Sequence, residues 1–214
     1  HELPWGQAKV LLNAARLSRG HWVLAAVPDN TGLVAYQNFH GIWPKGGIGI
    51  EVIAAILNGP IANAFVASRR TSRHNRKETV AAIPVPHFTP DTLRTVTALV
   101  QTYRVSRAEW LEKPWGAETY AERCLRALAQ IDAEILTAYD LPPRLERELL
   151  DYFTGEGRPG PVPFTEYYPR DFRPALPWRM FVSGEVARAA AREVLRRLPP
   201  RDDPKLAALV AEAE

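Results

Sequence analysis

Residues 50–86 read IEVIAAILNGPIANAFVASRRTSRHNRKETVAAIPVP, and the interpretation of the whole chain starts from this stretch. Its first half is almost wholly apolar, which indicates two short helices that are buried. Asn58 and Gly59 end the first helix, and Pro60 opens the second, which runs to about Ser68. Proline suits that opening position because its missing N–H costs nothing there. The sequence therefore predicts a buried helical hairpin.

A basic loop, RRTSRHNRK at residues 69–77, follows the hairpin and holds five Lys or Arg in nine residues. A rigid support that presents a short cationic loop suits contact with a phosphate backbone. The polar side chains between the cations can donate to phosphate oxygens or read base edges. The alternative is a solvated charged loop, with arginine favoured by the dipole at a helix C-terminus. The loop supplies the candidate DNA-binding residues Arg69, Arg70, Ser72, Arg73, His74, Asn75, Arg76 and Lys77.

Charge is distributed unevenly along the 214 residues. Residues 1–90 hold nine Lys or Arg against four acids, a net charge of +5, and the remainder has a net charge of −2. A hydrophobic content of 46% with 24% charged residues is ordinary for a globular protein. The first part of the chain is therefore the part expected to meet a polyanion.

The first third of the chain predicts β structure. Apolar or alternating runs at 10–17, 22–27 and 33–43 are separated by turn residues and indicate a mixed, partly covered sheet. Residues 80–85 predict a short edge strand, because the neighbouring prolines cannot donate to a central ladder. Polar residues interrupt the apolar runs. If the sheet faces a DNA groove, they would read the DNA; the alternative is that they form the solvated face of the sheet. They add Arg16, Arg19, Asn38 and His40 to the candidate DNA-binding residues.

From Thr89 onward the pattern becomes helical. Thr89 caps a helix that Pro90 opens, and further helices are predicted at about 117–139 and 143–153. Residues 158–182 hold six prolines and six aromatic residues and predict an extended segment that buries its rings. Those rings belong to Phe164, Tyr167, Tyr168, Phe172, Trp178 and Phe181. Ser183 is expected to cap a helix reaching about residue 198, with a weak acidic helix after it.

Together these patterns predict an α+β fold. An N-terminal mixed sheet with a buried helical hairpin precedes long helices and a wrapping tail rich in proline and aromatic residues. The predicted domains are a DNA-recognition α+β domain at 1–88, a helical region packed on it at 89–157, and the tail with C-terminal helices at 158–214.

Motifs for catalysis are missing from the sequence. It has no G-x-S-x-G, H-E-x-x-H or C-x-x-C, and neither the N-P-P-Y-type nor the methyl-donor motif of adenine methyltransferases. The GGIG run at 46–49 lacks the lysine–serine pair of a phosphate loop and suits a tight turn into a helix. We therefore expect no catalytic residue, metal or cofactor in this chain. The alternative is a nuclease that uses Asp29 with His40 or His74.

Cellular context follows from composition. Cys124 is the single cysteine, which excludes an internal disulfide framework and fits a reducing cytoplasm. No uninterrupted apolar run reaches the roughly 18–20 residues of a membrane span, so no membrane partner is expected. The chain begins at His1 rather than Met, which leads us to expect a fragment of a longer protein.

Two short motifs carry a family resemblance. Leu57-Asn58-Gly59-Pro60 and Ile83-Pro84-Val85-Pro86 flank the basic loop, and QNFHGIWP at 37–44 precedes them. This arrangement over about 9–140 resembles the target-recognition domain of bacterial restriction–modification proteins, in particular type IIG adenine-N6 methyltransferases and type I specificity subunits. The family usually has Ser where this chain has Gly59.

The resemblance implies recognition of double-stranded DNA sequence, with methyl transfer or cleavage performed by another domain or subunit. It implies that residues 69–77 lie at or near the DNA, and that S-adenosylmethionine binds only in the catalytic part. Which residues read bases does not carry over, because such loops vary with the recognised sequence. The alternative function is a protein-interaction or assembly module of a larger DNA-modifying complex, with Tyr103, Trp110 and Trp115 as candidate anchors.

Overall fold

The computed structural model describes residues 3–69, 72–112, 117–158, 167–170 and 172–185, and their fold is α+β, as predicted. Within these residues, three strands come first and seven helices follow. The strands are β1 (Lys9–Asn13), β2 (Ala26–Asp29) and β3 (Phe39–Ile42). The helices are α1 (Ile50–Asn58), α2 (Pro60–Ser68), α3 (Lys77–Ala81), α4 (Pro90–Glu112), α5 (Ala117–Tyr139), α6 (Pro143–Asp151) and α7 (Trp178–Val182).

The sheet has β1 in its centre, and the strand order is β2-β1-β3. Both neighbours run antiparallel to β1, so the described sheet is antiparallel rather than mixed. Val10 and Leu12 of β1 are fully buried and belong to the same core cluster as α1. Each of the three predicted strand regions contains a strand. β1 and β3 are shorter than their apolar runs, whereas β2 overlaps its run only at 26–27 and continues into the predicted turn.

A side-chain amide explains why the second strand starts late. Asn63 of α2 is fully buried, and its Oδ1 accepts hydrogen bonds from the backbone N–H groups of Val23 at 2.9 Å and Leu24 at 2.8 Å. Its Nδ2 donates to the carbonyl oxygens of Leu57 at 3.2 Å and Gly59 at 2.9 Å. Buried backbone groups require partners, and at this point α2 provides them in place of a neighbouring strand.

Two further asparagines bond to backbone in the same region. Asn58 Oδ1 accepts from the N–H of Ala26, and Asn58 Nδ2 donates to the carbonyl of the same residue, both at 2.8 Å. Asn13 Oδ1 accepts from the N–H of Ala25 at 2.7 Å. The asparagine of the Leu-Asn-Gly-Pro motif therefore fixes the end of α1 against β2.

The helical hairpin is confirmed. Gly59 separates α1 from α2, and a Cβ at this position would lie 3.2 Å from the carbonyl oxygen of Ala55. Among the described residues, no single helix has the length and apolar character to cross a membrane. Only α1 and α2 taken together have both, and they are bent by 55°.

The interior contains two core clusters. The first joins the sheet and α1 with Val96 and Val100 of α4 and Ile131 and Ile135 of α5. It therefore crosses the predicted boundary between 88 and 89. The second is largely aromatic and forms around Trp22. It contains Phe153, Tyr167, Tyr168 and Trp178, with Phe172 and Phe181 packed against it.

Three aromatic rings of the proline-rich segment, those of Tyr167, Tyr168 and Trp178, are buried as predicted, Phe172 and Phe181 are half-buried, and Phe164 lies outside the described residues. Arg158, at the start of this segment, forms a bidentate pair with Asp132, with Nη1–Oδ2 at 2.8 Å and Nη2–Oδ1 at 3.2 Å. Burial raises the pKa of the Asp132 carboxyl, and the Arg158 guanidinium opposes that rise. The Tyr167 hydroxyl donates to the same carboxylate at 3.1 Å.

Two secondary-structure predictions are wrong, and several boundaries differ. Within the segment 158–182, predicted to be extended, residues 178–182 form α7. Residues 80–85 form no strand, since α3 runs to Ala81 and irregular backbone follows. Neither Pro84 nor Pro86 has an N–H to donate to a ladder. The helix predicted at 143–153 ends at Asp151. The helices predicted beyond Ser183 fall mainly on residues 186–214, which lie outside the described residues.

Candidate nucleic-acid interface

The basic loop begins where α2 ends, at Arg69. The Arg69 guanidinium lies 3.7 Å from the centroid of the Phe65 ring, one turn earlier in α2. Its backbone N–H continues the helix by donating to Val66 O at 3.3 Å. The Arg69 side chain therefore packs against α2, although it is exposed. Arg70, a predicted contact, lies outside the described residues.

The middle of the basic loop pairs with the chain that continues β1. Ala15 and His74 form an isolated antiparallel bridge. The Arg16 N–H donates to Arg73 O at 2.9 Å, and the Asn75 N–H donates to Ala14 O at 2.8 Å. These backbone bonds attach the loop to the end of the sheet and fix the direction in which its side chains leave the backbone.

Asn75 differs from its neighbours in the basic loop because it is buried, with 2% of its surface exposed. Its Nδ2 donates to the carbonyl oxygens of Asn13 at 3.1 Å and Val23 at 3.2 Å. The side chain predicted to read bases is therefore directed into the protein. It holds the loop in place, while the residues on either side of it are exposed.

The second predicted set of polar residues meets the loop at this point. A ring nitrogen of His40, Nε2, lies 2.8 Å from the carbonyl oxygen of Asn75. The carbonyl of Asn38, just before β3, accepts from the Ala14 N–H at 2.8 Å. Arg16, Asn38 and His40 were predicted separately from the loop, yet the structure places them beside it.

We call the resulting surface the basic face. It consists of Arg16, Asn38, His40, Ser72, Arg73, His74, Arg76 and Lys77. Arg73, Arg76 and Lys77 are exposed. Among the described residues, no acidic side chain forms an ion pair with any of the four basic-face cations. Positive charge that lacks an internal partner remains available for an anionic ligand.

Arg19 is the one candidate from the predicted sheet segments that the structure does not bring to the basic face. It lies in the turn before His21, whose ring stacks on Tyr152 with centroids 3.7 Å apart. The His21 Nδ1 atom also lies 3.0 Å from a carboxylate oxygen of Glu156. This turn therefore contacts the segment after α6 rather than the basic loop.

The residues weighed for a nuclease site do not converge. Asp29 pairs with Lys9 at one end of β1, whereas His40 pairs with Leu12 on the opposite side of that strand. Strand geometry puts Asp29 and His40 about 14 Å apart. The Asp29 carboxylate accepts from Lys9 Nζ, and this hydrogen bond holds its pKa well below the usual range. The described residues contain no group of three or more His, Cys, Asp or Glu side chains able to hold a metal ion.

An aromatic pocket that the sequence did not indicate opens beside the basic face. It has a volume of about 900 Å³, and its walls include Trp5, Tyr36, Phe39 and Trp43. Trp5 and Trp43 meet edge to face, with ring centroids 5.4 Å apart. The walls come from segments far apart in the chain, so no local pattern reveals the pocket. The closely spaced aromatic residues at 36, 39 and 43 were the one available signal.

The IPVP motif borders the same region. Ile83 is buried and lines the aromatic pocket, together with Val85. The Tyr139 hydroxyl of α5 donates to the carbonyl oxygen of Pro84 at 2.5 Å. Burial raises the pKa of Tyr139 to about 12. The motif therefore links the end of α5 to the wall of the pocket.

Comparison of this chain with protein families, curated proteins and solved structures finds no match.

Proposed function

We propose that this chain is a non-catalytic module that binds double-stranded DNA and recognises its sequence for a methyltransferase or endonuclease domain or subunit. The observation that carries the proposal is the bridge between Ala15 and His74. It joins two sets of polar residues, separately predicted to contact DNA, into one cationic face.

The chemistry of the basic face suits a phosphate backbone flanked by base edges. Arg16, Arg73, Arg76 and Lys77 can neutralise phosphates and release counterions. Asn38 and His74 are exposed beside them and carry groups that hydrogen-bond to base edges. The backbone beneath is fixed by main-chain bonds and by Asn75, so little order has to be gained on binding.

The restriction–modification context of the proposal rests on the family resemblance. The Leu-Asn-Gly-Pro and IPVP motifs have structural roles, because Asn58 bonds to β2 and Pro84 accepts from Tyr139. The same context puts the module in the bacterial cytoplasm and S-adenosylmethionine in the catalytic part.

Fluorescence anisotropy tests the proposal with a random-sequence duplex of about 30 base pairs, at about 50 and about 200 mM salt. Four neutralised phosphates correspond to a log–log salt slope of about −3.6. Replacing two arginines in Arg73→Ala/Arg76→Ala should weaken binding and reduce the magnitude of the slope by about 1.8.

The matched control is Arg94→Ala/Arg126→Ala, which removes the same charge from exposed positions on α4 and α5. It should leave the slope nearly unchanged. An equal effect of both double variants would mean that DNA is attracted by net charge alone. Absence of DNA binding at low salt would overturn the proposal.

A protein-interaction or assembly module is the second candidate function, and the exposed apolar side chains of α4 favour it. Val105 and Leu111 are 60% and 64% exposed. The anchors expected from the sequence are less suitable, because Tyr103 packs against the first core cluster and Trp115 lies outside the described residues. Light scattering that detects a stable dimer or partner complex, unchanged by Arg73→Ala and lost in Leu111→Asp, would support this function.

A further inference from the structure

The aromatic pocket has the size and lining of a ligand site. Its volume of about 900 Å³ lies within the range of pockets that hold small molecules. Apolar side chains of Ile42, Ile48 and Ile53 line it together with the aromatic walls. Such a lining favours a flat, largely apolar ring that can stack on Trp, Tyr or Phe.

The pocket and the basic face share residues. His40 and Lys77 belong to the basic face and also line the pocket, and Lys45 adds a third basic side chain to the lining. Arg76 directly precedes Lys77, so a strand whose phosphates lie on the basic face also lies next to the pocket. The combination of aromatic and cationic side chains in one lining complements a ring attached to a phosphate backbone.

Residues 33–39, which supply Tyr36 and Phe39 to the pocket lining, are unusually apolar for an exposed loop. Val34 and Tyr36 are 73% and 82% exposed, and Leu33 and Phe39 are more than half exposed. The loop is nevertheless anchored at both ends. The Leu33 N–H donates to Asp29 Oδ2 at 3.0 Å, and Phe39 pairs with Asn13 of β1. Exposed apolar clusters of this kind mark contact surfaces.

We propose that the aromatic pocket receives a base that has left the stack of the DNA strand bound at the basic face, with Tyr36 as its stacking partner. This inference rests on the proposed DNA-binding function. Removing a base from a paired duplex has a cost that is smallest where the base is already mismatched or unpaired. The module should therefore prefer DNA with a local unpaired stretch over fully paired DNA.

The test compares two duplexes of equal length and composition, one fully paired and one with a central bubble of about three nucleotides. We expect the bubble duplex to bind about fivefold more tightly or better. Tyr36→Ala should lower the affinity for the bubble duplex toward that for the paired duplex, and so abolish this preference. Since Tyr36 is 82% exposed, its removal should not disturb folding. The matched control is Tyr120→Ala on α5, which should keep the preference.

A 2-aminopurine in the bubble gives an independent readout, because its fluorescence changes when it leaves its DNA neighbours and stacks on an aromatic side chain. We expect a change on binding that is lost in Tyr36→Ala. Equal affinity for both duplexes, or an equal loss for both in Tyr36→Ala, would overturn the base-binding inference and leave the proposed function standing. Failure to bind either duplex would overturn the proposed function as well.

Discussion

In the second core cluster, Arg158 is 8% exposed, forms a bidentate pair with Asp132 and lies 4.8 Å from the centroid of the Trp22 ring. At the basic face, Arg73 is exposed, and within the described structure no acid pairs with it. Both regions contain arginine. What separates them is the presence of a buried carboxylate in one and its absence in the other. Arginine therefore stabilises the fold in the first region and is available for a ligand in the second.

Replacing the arginine of each region with alanine should give the largest difference in the free energy of unfolding. Arg158→Ala leaves the fully buried Asp132 without its partner and should lower the free energy of unfolding by about 3–5 kcal/mol. Arg73→Ala, the matched change at the basic face, should cost less than about 0.5 kcal/mol. Urea unfolding followed by circular dichroism measures both. Equal losses in the two variants would contradict the distinction.

A pair of asparagines extends the comparison to neutral polar groups. Asn63→Ala leaves the buried N–H groups of Val23 and Leu24 without acceptors, and we expect a loss of about 3 kcal/mol. Asn38 is exposed, so Asn38→Ala should change stability by less than about 0.5 kcal/mol and act mainly on DNA affinity. The measurements are urea unfolding and anisotropy on both variants. A stable Asn63→Ala protein would mean that the backbone of residues 22–25 finds other partners.

The dependence of unfolding free energy on acidic pH should distinguish the buried Lys9–Asp29 pair from the exposed Asp91–Arg94 pair. The pKa of Asp29 is lowered below its ordinary value of 3.8, chiefly by Lys9, so the pair stabilises the fold above that pH. This contribution is lost as pH falls through the pKa of the folded state. Asp29→Asn should therefore be less stable than the unmodified chain at pH 7, and the gap should narrow below about pH 4.

The loss in Asp29→Asn should be smaller than that in Arg158→Ala, because the single amide oxygen of Asn can still accept from Thr31 and Lys9 retains its bond to Trp5 O. Urea unfolding at a series of pH values is the measurement. Asp91→Asn is the control, since that side chain is 84% exposed, and it should show little effect at any pH. If the difference in unfolding free energy between Asp29→Asn and the unmodified chain does not change with pH, the stabilising role assigned to the Lys9–Asp29 pair is wrong.

The smallest effect is expected for a single hydroxyl. Tyr139→Phe removes the hydrogen bond to Pro84 O and should cost about 1 kcal/mol in urea unfolding, whereas Tyr36→Phe should cost almost nothing. The pKa of Tyr139 is raised to about 12, so its contribution is present at neutral pH and declines as pH rises toward that value. Equal unfolding free energies of the two variants would mean that water hydrogen-bonds to the Tyr139 hydroxyl as favourably as Pro84 O does.

Local sequence patterns predicted those parts of the fold that depend on near neighbours. The interruption at Asn58-Gly59-Pro60 defined the hairpin, and apolar periodicity located α4, α5 and α6. Residues 80–85 were misread as a strand because an apolar run that short is ambiguous between strand and helix. The bond between Asn63 and Val23, like the pair between Arg158 and Asp132, depends on residues brought together only by folding.

In the candidate site, too, local sequence indicated some features, and folding alone created the others. Charge density alone indicated the basic loop, and the structure adds Arg16, Asn38 and His40 to it. Composition could not reveal that Asn75 is internal, since an asparagine in a basic polar loop resembles its exposed neighbours. The aromatic pocket combines residues from 3–5, 35–57 and 77–85, and the aromatic residues at 36, 39 and 43 were its one local signal.

Because of the bridge between Ala15 and His74, the groups that fix the basic loop differ from the side chains that the loop exposes. It is made by carbonyl and amide groups of the main chain, and Asn75 is the buried side chain that reinforces it. The side chains at 73, 74 and 76 therefore contribute little to folding, whereas Ser72 Oγ accepts from the His74 N–H at 3.2 Å. Substitution at these three positions changes the chemistry offered to a ligand at almost no cost in stability. A library randomised at 73, 74 and 76, with Ser72 and Asn75 retained, would vary the proposed DNA contacts on an unchanged scaffold.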